Sequence, residues 1–144
     1  MYKTITLSIL LFACGCTSVD FGRKPVIHPK VFEMAESWLS DTAYPVITEV
    51  NLDAVEENRN QFDYTEVSEK EGWTICPGKE NEGFLRYKVI SQNGSQYTIR
   101  FQHNGGGSLT TESEIEFIIY TRTIFVDKNQ KNIKALKILS IKNI

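Results

Sequence analysis

The chain has 144 residues, enough for one domain with little left for a second. Hydrophobic residues make up 41%, charged residues 24% and aromatics 11%, a mixture typical of a folded globular protein and too apolar for a disordered one. Sixteen Lys and Arg against eighteen Asp and Glu leave a formal charge of −2, which argues against nucleic acid as a partner and against electrostatic adhesion to a membrane surface. Three cysteines are too few for a disulfide scaffold and lack zinc-module spacing, and two histidines give no metal-ligating set. No cofactor or metal site is expected.

The first fifteen residues read as an address rather than as part of the fold. Met1, Tyr2, Lys3 and Thr4 form a head with one positive charge, and Ile5-Thr6-Leu7-Ser8-Ile9-Leu10-Leu11-Phe12 is an uncharged, largely apolar run. That run is far short of the roughly 20 residues a bilayer-spanning helix needs. A charged head, a short apolar core and then small residues are the layout of a secretory signal peptide.

Ala13-Cys14-Gly15-Cys16 follows, with a small residue before each cysteine. This segment resembles the lipobox of bacterial lipoproteins, in which a cysteine is lipidated and becomes the new N-terminus. Cys16 is the favoured lipidation site because small Gly15 precedes the cut; Cys14 is the alternative, with Leu11 well placed but bulky Phe12 close to the cut. The resemblance covers residues 1–16 only. It implies palmitate-type acylation, export to the periplasmic side and a lipid anchor in the membrane. Thr17, where an Asp would favour the inner membrane, points to the outer membrane in a double-membraned cell. The domain plan is then a signal peptide at 1–15, a lipidated N-terminus and tether at 16–29, and a single domain at 30–144. Removing the signal peptide takes away one Lys and leaves a formal charge of −3.

Residues 17–29 show neither helical nor strand periodicity and contain Pro25 and Pro29, as a tether should. From Pro29, the spacing of Val31, Met34, Ala35, Trp38 and Leu39 predicts one amphipathic helix ending near Ser40-Asp41-Thr42. Pro45 to Leu52 alternates as a strand, and Asp53 could cap a short helix over 53–60. The acidic stretch over 64–71 is indeterminate, and Gly72-Trp73-Thr74-Ile75-Cys76 reads as a strand stopped by Pro77-Gly78.

The next two runs predict a hairpin. Leu85, Tyr87 and Val89 alternate with charged residues, as do Tyr97, Ile99 and Phe101 with polar ones, and Asn93-Gly94 lies between. A three-residue loop over Gln92, Asn93 and Gly94 would pair Val89 with Tyr97 and keep both apolar sets on one face. A strand from Ile115 to Val126, a turn at Asp127-Lys128-Asn129-Gln130 and one or two strands over 133–141 complete the pattern. The expected fold class is α+β, an N-terminal amphipathic helix packed on an antiparallel meander.

Candidate sites are few. Asn104, Gly105, Gly106, Gly107 and Ser108 form a glycine-rich stretch that lacks the P-loop and dinucleotide spacings, and a strand rather than a helix follows it. It is a candidate contact loop. Cys76 and His103 could be a nucleophile and base, yet spacing alone does not bring them together, and Cys76 reads as a small core residue. Glu114 and Glu116 share a strand face about 7 Å apart, as expected of a wet face. The functional expectation is a lipid-anchored envelope protein, non-catalytic, binding a protein partner or supporting an envelope or secretion assembly. The alternative is a periplasmic inhibitor or immunity protein using the glycine loop.

Overall fold

The structure is a computed structural model that describes residues 26–40, 49–58, 66–78 and 82–144, with the backbone alone for 36–40. Its elements in chain order are α1 (Lys30–Ser40), β1 (Glu49–Asn51), α2 (Leu52–Glu57), β2 (Ser68–Lys70), β3 (Trp73–Pro77), β4 (Phe84–Asn93), β5 (Gln96–Asn104), β6 (Thr110–Val126) and β7 (Asn129–Asn143). All seven strands join one antiparallel sheet in the order β1-β7-β6-β5-β4-β3-β2. β2 to β7 follow one another as a meander, and β1 adds to the far edge of β7.

The α+β expectation is therefore corrected. The described residues form a mostly-β, seven-stranded meander, and the two helices among them are short, with 11 and 6 residues. Strand length decides the class: β6 runs for 17 residues and β7 for 15, so the sheet takes up most of the described chain.

One sheet face carries the core. Leu85 and Tyr87, Tyr97, Ile99 and Phe101, Ile115, Phe117 and Ile119, and Leu136 and Ile138 are all buried there. Ile27, Val31, Phe32 and Ala35 close over them. Phe32 is completely buried, and its ring centroid lies 5.1 Å from that of Tyr87 and 5.2 Å from that of Phe117. The buried positions of α1 are thus 31, 32 and 35, while Met34 is only half-buried. Trp38 and Leu39, also placed on the apolar stripe, lie outside the described side chains.

Part of the segment expected to be a tether is packed against the sheet. Ile27, His28 and Pro29, read as the end of the tether, are buried. Pro29 opens the first turn of α1, where its missing N–H costs nothing, and His28 Nδ1 accepts a hydrogen bond from the Lys30 N–H at 3.1 Å.

Elsewhere the corrections are local. Asn51, not Asp53, caps α2, with its side-chain oxygen accepting from the Ala54 N–H at 3.1 Å. Asp53 instead accepts the Lys134 N–H at 2.9 Å, extending the ladder that β1 makes with β7 through Asn51↔Ala135. Of the strand expected over Pro45 to Leu52, 49–51 is observed and 45–48 lie outside the described residues.

The β4–β5 hairpin keeps the expected face and changes its register. Val89 pairs with Ile99 and Tyr87 with Phe101. The loop is Gly94-Ser95, with Gly94 at φ 59°, as in a type II′ turn. Continued without interruption, that turn would oppose Val89 to Arg100. A bulge at Ile90 between the Val89 and Ser91 pairs corrects the phase, so the same-face requirement is met inside the strand rather than at the turn.

Candidate functional site

Three regions of the described surface could contact a partner. The first is the glycine loop that joins β5 to β6 at one end of the sheet. Asn104 shapes it: Oδ1 accepts from the Gly106 N–H at 2.8 Å, while Nδ2 donates to the Gly107 carbonyl at 3.2 Å and to Thr110 Oγ1 at 3.0 Å. A second turn presses against it. Gly83 has φ 77°, and a Cβ there would lie 2.0 Å from the Asn104 carbonyl oxygen and 2.5 Å from the Gly106 nitrogen. Only glycine permits that approach. Gly105, Gly106, Gly107 and Ser108 are exposed beside it, as is Leu109. The loop is therefore an exposed, internally bonded tip.

The second region is the far end of β6 and β7. β5 last pairs β6 at Gln96↔Ile118, whereas β6 and β7 continue to Val126↔Asn129. Beyond Tyr120↔Ala135, where the pairing with β1 also ends, the extension projects as a two-stranded arm roughly 20 Å long at ordinary strand rise. Asp127 and Lys128 form its two-residue turn with φ 49° and 68°, the left-handed pair of a type I′ turn; Asn129 and Gln130 begin β7 rather than belonging to the turn. Phe125 is 72% exposed at its tip. At its base Arg122 donates to Glu49 at 2.6 Å. That guanidinium, with the Tyr120 hydroxyl assisting, holds the Glu49 carboxyl below its ordinary value, and Glu49 in turn raises Tyr120.

The third region is the outer sheet face, opposite the core. Cross-strand pairing aligns Arg86 with Gln102 and Gln102 with Glu112 in one row. Arg86 Nε donates to Gln102 Oε1 at 2.7 Å, Gln102 Nε2 donates to Glu112, and Arg100 Nε pairs with Glu112 at 3.1 Å. The Arg86 guanidinium carbon lies 4.5 Å from the Trp73 ring centroid and 4.6 Å from that of Phe84. Glu114 and Glu116 stand on this same face, where Gln96 and Ser140 donate to Glu116.

The catalytic alternative gains little from the fold. Cys76↔Leu85 and Leu85↔His103 place Cys76 and His103 in one cross-strand row, a proximity that spacing in sequence does not reveal. Leu85 stands between them, so their backbones are about 10 Å apart at ordinary strand separation. Cys76 is buried, and His103 Nε2 faces Glu33 of α1 at 3.7 Å. A cleft of about 280 Å³ beside the chain entry gathers His28, Asp53, Glu56 and Lys134. His28 Nδ1 and Asp53 Oδ2 there bind backbone N–H groups of Lys30 and Lys134. Among the described residues no set of three or more His, Cys, Asp or Glu could hold a metal ion.

Cys14 and Cys16 lie outside the described residues. The aromatic-flanked Arg86 escaped the sequence reading. Its only trace there was the alternation that set Arg86 opposite Leu85, Tyr87 and Val89 on its strand.

Comparison with protein-family models, curated proteins and solved structures finds no match.

Proposed function

We propose that this is a lipid-anchored protein of a bacterial envelope whose β-domain binds a partner protein and supports an assembly without catalysing a reaction. One observation carries the reading furthest. Ile27, eleven residues after Cys16, is buried in the core, where its N–H donates to the Tyr87 hydroxyl at 3.1 Å. Eleven residues reach at most about 40 Å. An anchor at Cys16 would therefore hold the domain close to the membrane, oriented by a buried attachment point. An acyl chain contributes about 0.8 kcal/mol per buried CH₂, and two or more chains anchor stably.

The test is palmitate labelling of the wild type and of the Cys16→Ser and Cys14→Ser variants in the native host. Loss of label in Cys16→Ser alone supports the reading. Label that persists in both variants overturns the anchor.

The second reading, an inhibitor or immunity protein acting through the glycine loop, is supported by the Asn104-cinched tip with exposed Leu109. Replacing Gly105 and Gly107 with bulkier residues would abolish inhibition of the target enzyme while leaving the fold intact.

A further inference from the structure

Arginine on an open sheet face ordinarily finds a carboxylate across the strand. Arg86 does not: among the described residues no carboxylate pairs with it, although Glu112 stands two strands away and is engaged by Gln102 and Arg100. Its surroundings are instead built from two aromatic rings and an amide. Phe84 lies two residues earlier on β4. Trp73 sits one position beyond the Thr74↔Tyr87 pair on β3. The rings thus approach Arg86 from either side along the strand direction, at 4.5 Å and 4.6 Å.

Stacking uses the flat face of a guanidinium, and hydrogen bonding uses its rim. Gln102 occupies the Nε position of that rim. The N–H groups of the two terminal nitrogens make no bond to any described residue. That rim is the fork that meets a carboxylate edge-on with two parallel bonds. Lys88, next on the same face of β4, also lacks a carboxylate partner among the described residues and adds positive charge beside the fork.

We propose that Arg86, flanked by Trp73 and Phe84, is a recognition site for a carboxylate carried by an acidic segment of a partner protein. With Nε taken by Gln102 and the two rings beside the guanidinium, the two terminal nitrogens are left to meet both oxygens of a carboxylate edge-on. Gln102 acts as a positioning residue that fixes the rotation of the fork. The site names the chemistry of the partner in the binding role proposed above and rests on that reading for the partner being a protein.

The test is a titration of ¹⁵N-labelled full-length protein in detergent micelles, following the Trp73 indole N–H and the Arg86 Nε–H. The probes are N-acetyl-glutamate N-methylamide, its glutamine counterpart and inorganic phosphate. The glutamate compound should give a saturable shift at both groups with a millimolar midpoint, at least about tenfold tighter than the glutamine compound. Arg86→Gln should abolish the shift, and Arg86→Lys, which keeps the charge but not the fork, should weaken it several-fold. Core amide resonances unchanged from the wild type certify both variants as folded. Equal response to glutamate and glutamine, tighter binding of phosphate, or undiminished binding by Arg86→Lys would overturn the site. Palmitate labelling is independent of these outcomes, so failure here is distinguishable from failure of the anchor.

Discussion

The Ile27 N–H donates to the Tyr87 hydroxyl across sixty residues of sequence, at 3.1 Å and in a buried setting. The bond joins the chain entering the domain to the middle of β4. Thr74 hydrogen-bonds the same hydroxyl. Tyr87→Phe would leave the Ile27 N–H buried without its acceptor, at a cost of about 1–3 kcal/mol. Urea unfolding of the two proteins, with unchanged m-values, measures it.

Burial raises the Tyr87 pKa above its ordinary value, against the opposing hydrogen bonds from Thr74 and Ile27. A raised pKa gives stability that is complete below the unfolded-state value near pH 10 and is lost as pH climbs through the folded value. The alkaline limb of the stability curve should therefore be shallower in Tyr87→Phe than in the wild type. Identical limbs would show that Tyr87 ionises no differently in the fold.

Glu49 behaves in the opposite sense. The Arg122 hydrogen bond depresses its pKa, so its contribution is present above the ordinary carboxylate range and is lost as pH falls through the lowered value. The pair is exposed, so the effect is small and salt-screened. Glu49→Gln should flatten the acid limb slightly, and more visibly at low salt, when urea midpoints are compared between pH 3 and pH 6.

Phe32 fills the centre of the core without exposure and meets the rings of Tyr87, Phe101 and Phe117. Phe32→Ala should cost about 3–5 kcal/mol. Thermal unfolding of that variant is the check, with Met34→Ala, at a half-buried position, as the milder comparison.

Glycine substitutions separate strain from collision. Gly94 has φ 59° and open space around its missing Cβ, so Gly94→Ala should cost about 1–2 kcal/mol from backbone strain alone. Gly83→Ala would add a Cβ 2.0 Å from the Asn104 carbonyl. It should destabilise more strongly and speed hydrogen exchange at the Gly106 N–H, which bonds to Asn104.

The strands and their inward faces were legible from alternation: Tyr97, Ile99 and Phe101 oppose polar neighbours because one face is buried and the other wet. The Ile90 bulge was not, since alternation fixes which face a residue takes but leaves open whether a turn or a bulge absorbs the extra residue. Phe32 was missed because the stripe was drawn through Met34 at i+3, whereas the helix buries positions 31, 32 and 35. The exposed glycine tip was legible in Gly105-Gly106-Gly107, but its contact with Gly83 joins residues more than twenty positions apart. The Arg86 setting is a cross-strand property, and no local pattern encodes it. The proposed anchor is the reverse case, since it rests on residues 1–16.

The proposed lipid anchor at Cys16 can be read from mass spectrometry of the N-terminal peptide of membrane-extracted protein. A peptide that begins at Cys16 and carries diacylglycerol on sulfur with an acyl group on the amino nitrogen is the expected result. An unmodified peptide retaining Met1, or a lipidated peptide beginning at Cys14, would contradict it.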